Sequence, residues 1–151
     1  MKIIIGFMLS YLYTDFLFIY VYESLCGLKY SKKITILGTL ILWVSDCLLK
    51  IFPQYIFGRQ VIGGLNTVLL FTGIIYTLLL YESSVLKKIL LYFVYAFAQS
   101  GMDLLGMNIA GMLMGEYSFM DQSSNFTLVM LGCSSITITL GTVFFIWFWK
   151  K

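Results

Sequence analysis

Long, uninterrupted apolar runs recur from one end of this chain to the other, and only short polar turns separate them. A run of about 20 apolar residues wound as an α-helix crosses a hydrocarbon core of about 30 Å, because each residue adds about 1.5 Å. Water-facing domains interleave apolar and polar positions at helix or strand period, and these runs do not. A bilayer is therefore the expected solvent. Membrane barrels are excluded at the same step, since their strands are short segments of alternating polarity.

The runs read as five spans, at about 3–25, 34–52, 61–81, 89–114 and 126–149. The predicted fold is all-α: a single polytopic transmembrane helix bundle, with no second, aqueous domain. The turns Cys26–Lys33, Pro53–Gln60, Glu82–Lys88 and Gly115–Asn125 leave little mass outside the membrane. The one proline, Pro53, falls just past a predicted helix end, where it breaks no hydrogen-bond ladder. The first run is too long, and too poor in flanking basic residues, for a cleaved signal peptide, so it is expected to remain as a helix.

Orientation follows from the lysines. If the spans alternate, Lys29, Lys32, Lys33, Lys87, Lys88, Lys150 and Lys151 share one side, against Lys2, Lys50 and Arg59 on the other. Cytoplasmic turns carry the excess of Lys and Arg, so the N-terminus is expected outside, the C-terminus in the cytoplasm, and the chain in the plasma membrane as a multi-pass protein. The net charge of +3 is thus a topology signal and gives no reason to expect a nucleic-acid partner. Tyr20, Tyr22, Trp147 and Trp149 sit where interfacial aromatic residues are expected.

Three acids fall inside the spans: Asp15, Asp46 and Asp103. An ionised Asp at a helix centre opposes insertion by roughly 2.5–3.5 kcal/mol, so each calls for a partner, a proton or water. Lys50, one helical turn beyond Asp46, offers it an ion pair. Gln99, Asp103, Gly106 and Ala110 recur at helical spacing on one face, expected to look inward, and Gly111 and Gly115 add a GxxxG pattern. This stripe reads two ways: as a packing seam that carries one neutral, hydrogen-bonded Asp, or as a polar ligand pocket open to the outside, built from Asp103 and Gln99 with Asn66 or Asn108 nearby. Asp15 has no cation in its own span and is expected to be protonated or hydrogen-bonded to another helix.

Catalysis and cofactors find little support. No histidine is present, which removes His triads, His metal sites and a phospho-accepting His. Cys26, Cys47 and Cys133 have no CxxC spacing and read as buried free thiols, so neither metal nor cofactor is expected. Paired intramembrane aspartates can run hydrolysis. However, Met102 stands before Asp103 where membrane aspartyl proteases place glycine, so no enzyme activity is expected.

Several stretches resemble the membrane sensor region of Agr-type peptide-sensing histidine kinases, whose cytoplasmic part is a GHKL-type ATPase. They are Asp15-Phe16-Leu17-Phe18-Ile19-Tyr20, the basic turn Gly27-Leu28-Lys29-Tyr30-Ser31-Lys32-Lys33, the turn Tyr81-Glu82-Ser83-Ser84-Val85-Leu86-Lys87-Lys88, and the acid Asp103 midway along the following helix. The resemblance implies a bacterial quorum-sensing receptor in a two-component system. Outer loops and outer helix ends would receive a secreted peptide, and the helices would pass the change to a dimeric kinase. The chain has fewer spans than is usual for that family, Asp103 where Glu is more usual, and neither the phospho-accepting His nor the ATP-binding module. Its end at Trp147-Phe148-Trp149-Lys150-Lys151 suits either a truncated sensor or a stand-alone relative.

Three functions are therefore expected in order. The first is a sensor that binds an extracellular peptide or small amphipathic ligand and signals to a cytoplasmic partner, such as a kinase, or through a homodimer. The second is a small transport or substrate-capture protein using Asp15 and Asp103 for a cation or proton. The third is an immunity or assembly partner acting by helix packing.

Overall fold

A computed structural model describes residues 2–51, 62–115 and 124–151. Among the described residues the chain is almost entirely helical: α1 (Lys2–Cys26), α2 (Lys32–Asp46), α3 (Ile62–Leu80), α4 (Val85–Met114) and α5 (Ser124–Trp149). The π-helical turn Cys47–Ile51 continues α2, and the Cys47 N–H is shared between the carbonyls of Trp43 and Val44. Helices satisfy every interior backbone group within their own segment, which is what an apolar solvent requires. Three of them carry segments long and apolar enough to cross a membrane: Ile4–Cys26, Val85–Met114 and Thr127–Trp149. In α3 the apolar stretch among residues with described side chains is shorter, Leu70–Leu80.

Local chemistry sets the helix ends. Gly27, at φ 75°, follows α1, and Gly115, at φ 68°, follows α4. Both adopt the left-handed conformation that ends helices and that glycine reaches without a Cβ penalty. Ser83 enters the same region at φ 88° inside the tight α3–α4 turn. Ser84 then starts α4, its Oγ accepting the Lys87 N–H at 3.4 Å. At the head of α2 the Ser31 carbonyl accepts from the N–H groups of Ile34 and Thr35 at 2.9 and 3.2 Å.

The chain divides into two compact units. The first comprises Met1–Thr14 and Val94–Lys151, so it holds the start of α1, most of α4 and all of α5. The second is Asp15–Phe93, with the rest of α1, α2, α3 and the start of α4.

Candidate functional site

In the Asp15–Phe93 unit, α1 presents Asp15, Phe18, Ile19 and Tyr22 at helical spacing, and Asp15, Ile19 and Tyr22 are buried. Phe18 lies 4.5 Å from Tyr22, 6.1 Å from Tyr76 of α3 and 5.9 Å from Tyr92 of α4, ring centre to ring centre. Tyr81 extends the cluster, 4.9 Å from Tyr22 and 6.0 Å from Tyr76.

Hydroxyl bonds fix these rings. The Thr39 hydroxyl donates to the Thr35 carbonyl at 2.9 Å. Its single hydrogen is thereby used, so in its bond with Thr39 the Tyr76 hydroxyl is the donor. Tyr81 stands 3.5 Å from the Tyr76 oxygen and can donate to it in turn. Two of the three predicted acids border this cluster: Asp15 is within electrostatic reach of Tyr76, and Asp46 of Tyr92. A buried carboxyl beside a phenol can accept its hydrogen bond, hold a proton, or attract a cationic group, at high cost if the charge is left uncompensated.

The basic end of the same unit is tied together through its backbone. Gly27 and Leu80 each supply a carbonyl across the two turns: Lys29 N–H donates to Leu80 at 3.1 Å and Glu82 N–H to Gly27 at 3.2 Å, which pairs Leu28 with Tyr81 as an isolated bridge. Lys88 is buried, and its ammonium donates to the Leu78 and Tyr81 carbonyls at 3.1 and 3.0 Å. Lys87 donates to the Leu25 carbonyl at 2.7 Å. Helix C-termini leave carbonyls unpaired and carry partial negative charge, so an ammonium there is doubly suited. Tyr22 closes the arrangement by donating to the Lys88 carbonyl at 3.0 Å. The exposed Lys32 pairs with Glu23 at 3.4 Å.

In the other unit, α4 and α5 meet along a seam of small and hydroxyl-bearing residues. Thr137 Oγ1 donates to the Met102 carbonyl at 2.7 Å and Ser134 Oγ to the Asp103 carbonyl at 3.4 Å, and Tyr95 and Thr142 share a hydrogen bond of 2.9 Å. A Cβ on Gly106 would come within 2.6 Å of the Ser134 backbone nitrogen, so only glycine permits that approach. Tyr13 of α1 bonds Thr139 of α5.

The predicted site residues are thus distributed. Gly106, Ala110 and Gly111 are buried, Gln99 is half-buried, and Asp103 and Asn108 are exposed. Gly115 is exposed at the end of α4, with no described atom within 4 Å of the position a Cβ would take, and its left-handed backbone terminates the helix. Asp103 contributes its carbonyl to the seam while its carboxyl stays exposed at the margin of the buried face. Asp15 and Asp46 belong to one unit, Asp103, Gln99 and Asn108 to the other. Of Asn66 and Lys50 only the backbone is described, and the side chains that would make an Asp46–Lys50 pair or an Asn66 contact lie outside the described residues, as do Pro53–Gln60 and 116–123. Cys26 and Cys47 are buried and Cys133 half-buried, and none of the three is in a disulfide.

Sequence reasoning missed the tyrosine cluster and the lysine caps. A usable signal for the α4–α5 seam was present in the run Ser134, Ser135, Thr137, Thr139, Gly141, Thr142, which is rich in small hydrogen-bonding residues inside an apolar span. No protein-family model, curated protein or solved structure matches the chain.

Proposed function

We propose that this chain is a multi-pass sensor module of the plasma membrane, with its lysine-bearing turns in the cytoplasm. In this reading it binds an extracellular peptide or small amphipathic ligand and relays the event to a cytoplasmic partner. The observation that carries the reading is the pairing, within one unit, of a buried acid-and-tyrosine cluster with a cross-tied basic end. Intramembrane acids are expensive and tend to mark functional positions. The bonded turns at 27–31 and 81–84 join the ends of α1 and α3 to the start of α4, so a displacement of one helix is passed to the others. The resemblance of the Asp15–Tyr20, Gly27–Lys33 and Tyr81–Lys88 stretches to Agr-type sensors supports the same assignment.

The test uses the native host with the gene deleted and then restored as parent, Asp15→Asn or Asp103→Asn. Transcript levels are measured after adding the peptide fraction of spent medium, with and without protease treatment. The reading expects a protease-sensitive response that is restored by the parent and weakened by at least one variant. An identical response in deleted and restored cells would remove it.

A second reading, cation or proton capture, draws on the burial of Asp15 beside Tyr76. Proton or cation flux in reconstituted vesicles, abolished by Asp15→Asn, would favour it over sensing.

A further inference from the structure

Glycine inside a helix lowers its stability relative to alanine, so an interior glycine calls for a reason. On α4, Gly106 has one, since the backbone of Ser134 occupies the space a Cβ would need. Among the described residues Gly101 has none: a Cβ there would meet nothing described within 4 Å, and the residue is exposed. Around it, Phe97, Gly101, Leu104 and Asn108 recur at spacings of four, three and four residues, which places them along one stripe of the helix. Phe97 is 84% and Leu104 60% exposed, and Met112, one turn beyond Asn108, is 70% exposed.

Asn108 makes this stripe unlike an ordinary lipid-facing surface. Its Nδ2 donates to the Leu104 carbonyl at 2.8 Å, which leaves the carboxamide oxygen and the second N–H for a further partner, and the residue is exposed on a helix long and apolar enough to cross a membrane. Lipid tails can satisfy neither group. A carboxamide carries both a donor and an acceptor and is therefore complementary to itself. In a two-fold arrangement each residue of an interface meets its own copy, which is the geometry such a group needs.

We propose that the Phe97–Gly101–Leu104–Asn108 stripe of α4 is a self-association surface: a second copy of this chain packs against it, Gly101 admits the neighbouring backbone, and the two Asn108 carboxamides hydrogen-bond across the two-fold axis. This surface is distinct from the Gly106–Ser134 seam, which α5 already fills, and it does not depend on what the protein senses.

The full-length chain, with its three cysteines replaced and single cysteines introduced, tests the proposal in phospholipid vesicles at low protein-to-lipid ratio. Oxidative cross-linking is expected to be strong at positions 97, 101, 104 and 108 and absent at 102 and 106. Energy transfer between differently labelled copies then measures the dimer fraction. Asn108→Leu and Gly101→Ile are expected to raise the dissociation constant roughly tenfold or more, while Asn108→Gln keeps most of the association. Gly132→Ile serves as the control, because Gly132 on α5 is equally open but its exposed neighbours Leu128, Ile136 and Leu140 are aliphatic. Monomer at every density, unchanged association in Asn108→Leu, or an equal loss in Gly132→Ile would each overturn the proposal.

Discussion

The two units solve one problem with different chemistry. Helices that share an apolar solvent gain little from burying greasy surface against each other, so packing and hydrogen bonds must hold them. The Met1–Thr14 and Val94–Lys151 unit brings backbones close with Gly106 and lets Ser134 and Thr137 donate to carbonyls of the facing helix. The Asp15–Phe93 unit packs several phenols into one cluster, and it closes its basic end with ammonium groups on helix C-termini. Neutral hydroxyls on accessible carbonyls are individually weak and replaceable. A buried charge is not, because removing it leaves carbonyls without a donor.

That contrast ranks the effects of substitution. Lys88→Met should be the most damaging, since it keeps the stem but strips two charge-assisted bonds. We expect a loss of about 3 kcal/mol, read as a lowered midpoint in denaturant titration of the detergent-solubilised protein. If Lys88→Met behaved as the parent does, the distinction between the units would fall.

Gly106→Leu comes next. Its added carbons meet the fixed backbone of Ser134, so a cost of about 2 kcal/mol is expected, with thermal unfolding as the measurement. Gly141→Ala is a useful counterpart, because the three atoms nearest a Cβ there all belong to the side chain of Met102, which has rotatable bonds to yield with. It should cost visibly less than Gly106→Leu, and an equal or larger cost would show that side-chain and backbone contacts are equally rigid at this seam.

How far these features could be read in advance depended on how local their causes are. Among the described residues the five helices fall on the predicted runs, three of them long and apolar enough to cross a membrane, and Gly27 and Gly115 mark two of their ends. The lysines at 87 and 88 were legible as a charged turn, yet their caps depend on which carbonyls the α3–α4 turn brings back, Leu78 and Tyr81 among them. Tyr22, Tyr76, Tyr81 and Tyr92 are scattered along the sequence with no shared period, so nothing but the tertiary structure assembles them. Asp103 illustrates a different limit. It shares helical spacing with Gly106 and Ala110, but at about 100° per residue it stands about 60° around the helix from Gly106, far enough for its carboxyl to stay exposed while its carbonyl joins the seam.

Two smaller effects are expected, one in each unit. Tyr76→Phe removes the donor to Thr39 and the acceptor for Tyr81, for which about 1 kcal/mol is expected, seen as a small shift in the unfolding midpoint. Thr137→Val removes one interhelical hydroxyl bond that membrane helices value at about 0.6 kcal/mol. The order Lys88→Met, Gly106→Leu, Tyr76→Phe, Thr137→Val is itself the prediction, and a reversal between its first and last members would contradict it.

We propose that the helices lie in a bilayer with the lysine-tied turns facing the cell interior. Lys33→Cys and Val85→Cys, each in a chain whose own three cysteines have been replaced, can be treated in intact cells with a membrane-impermeant maleimide. Because backbone bonds join the two turns, both positions must respond alike. Neither is expected to be labelled until the membrane is opened, and both are expected to be labelled afterwards. Full labelling of both in intact cells would contradict this orientation.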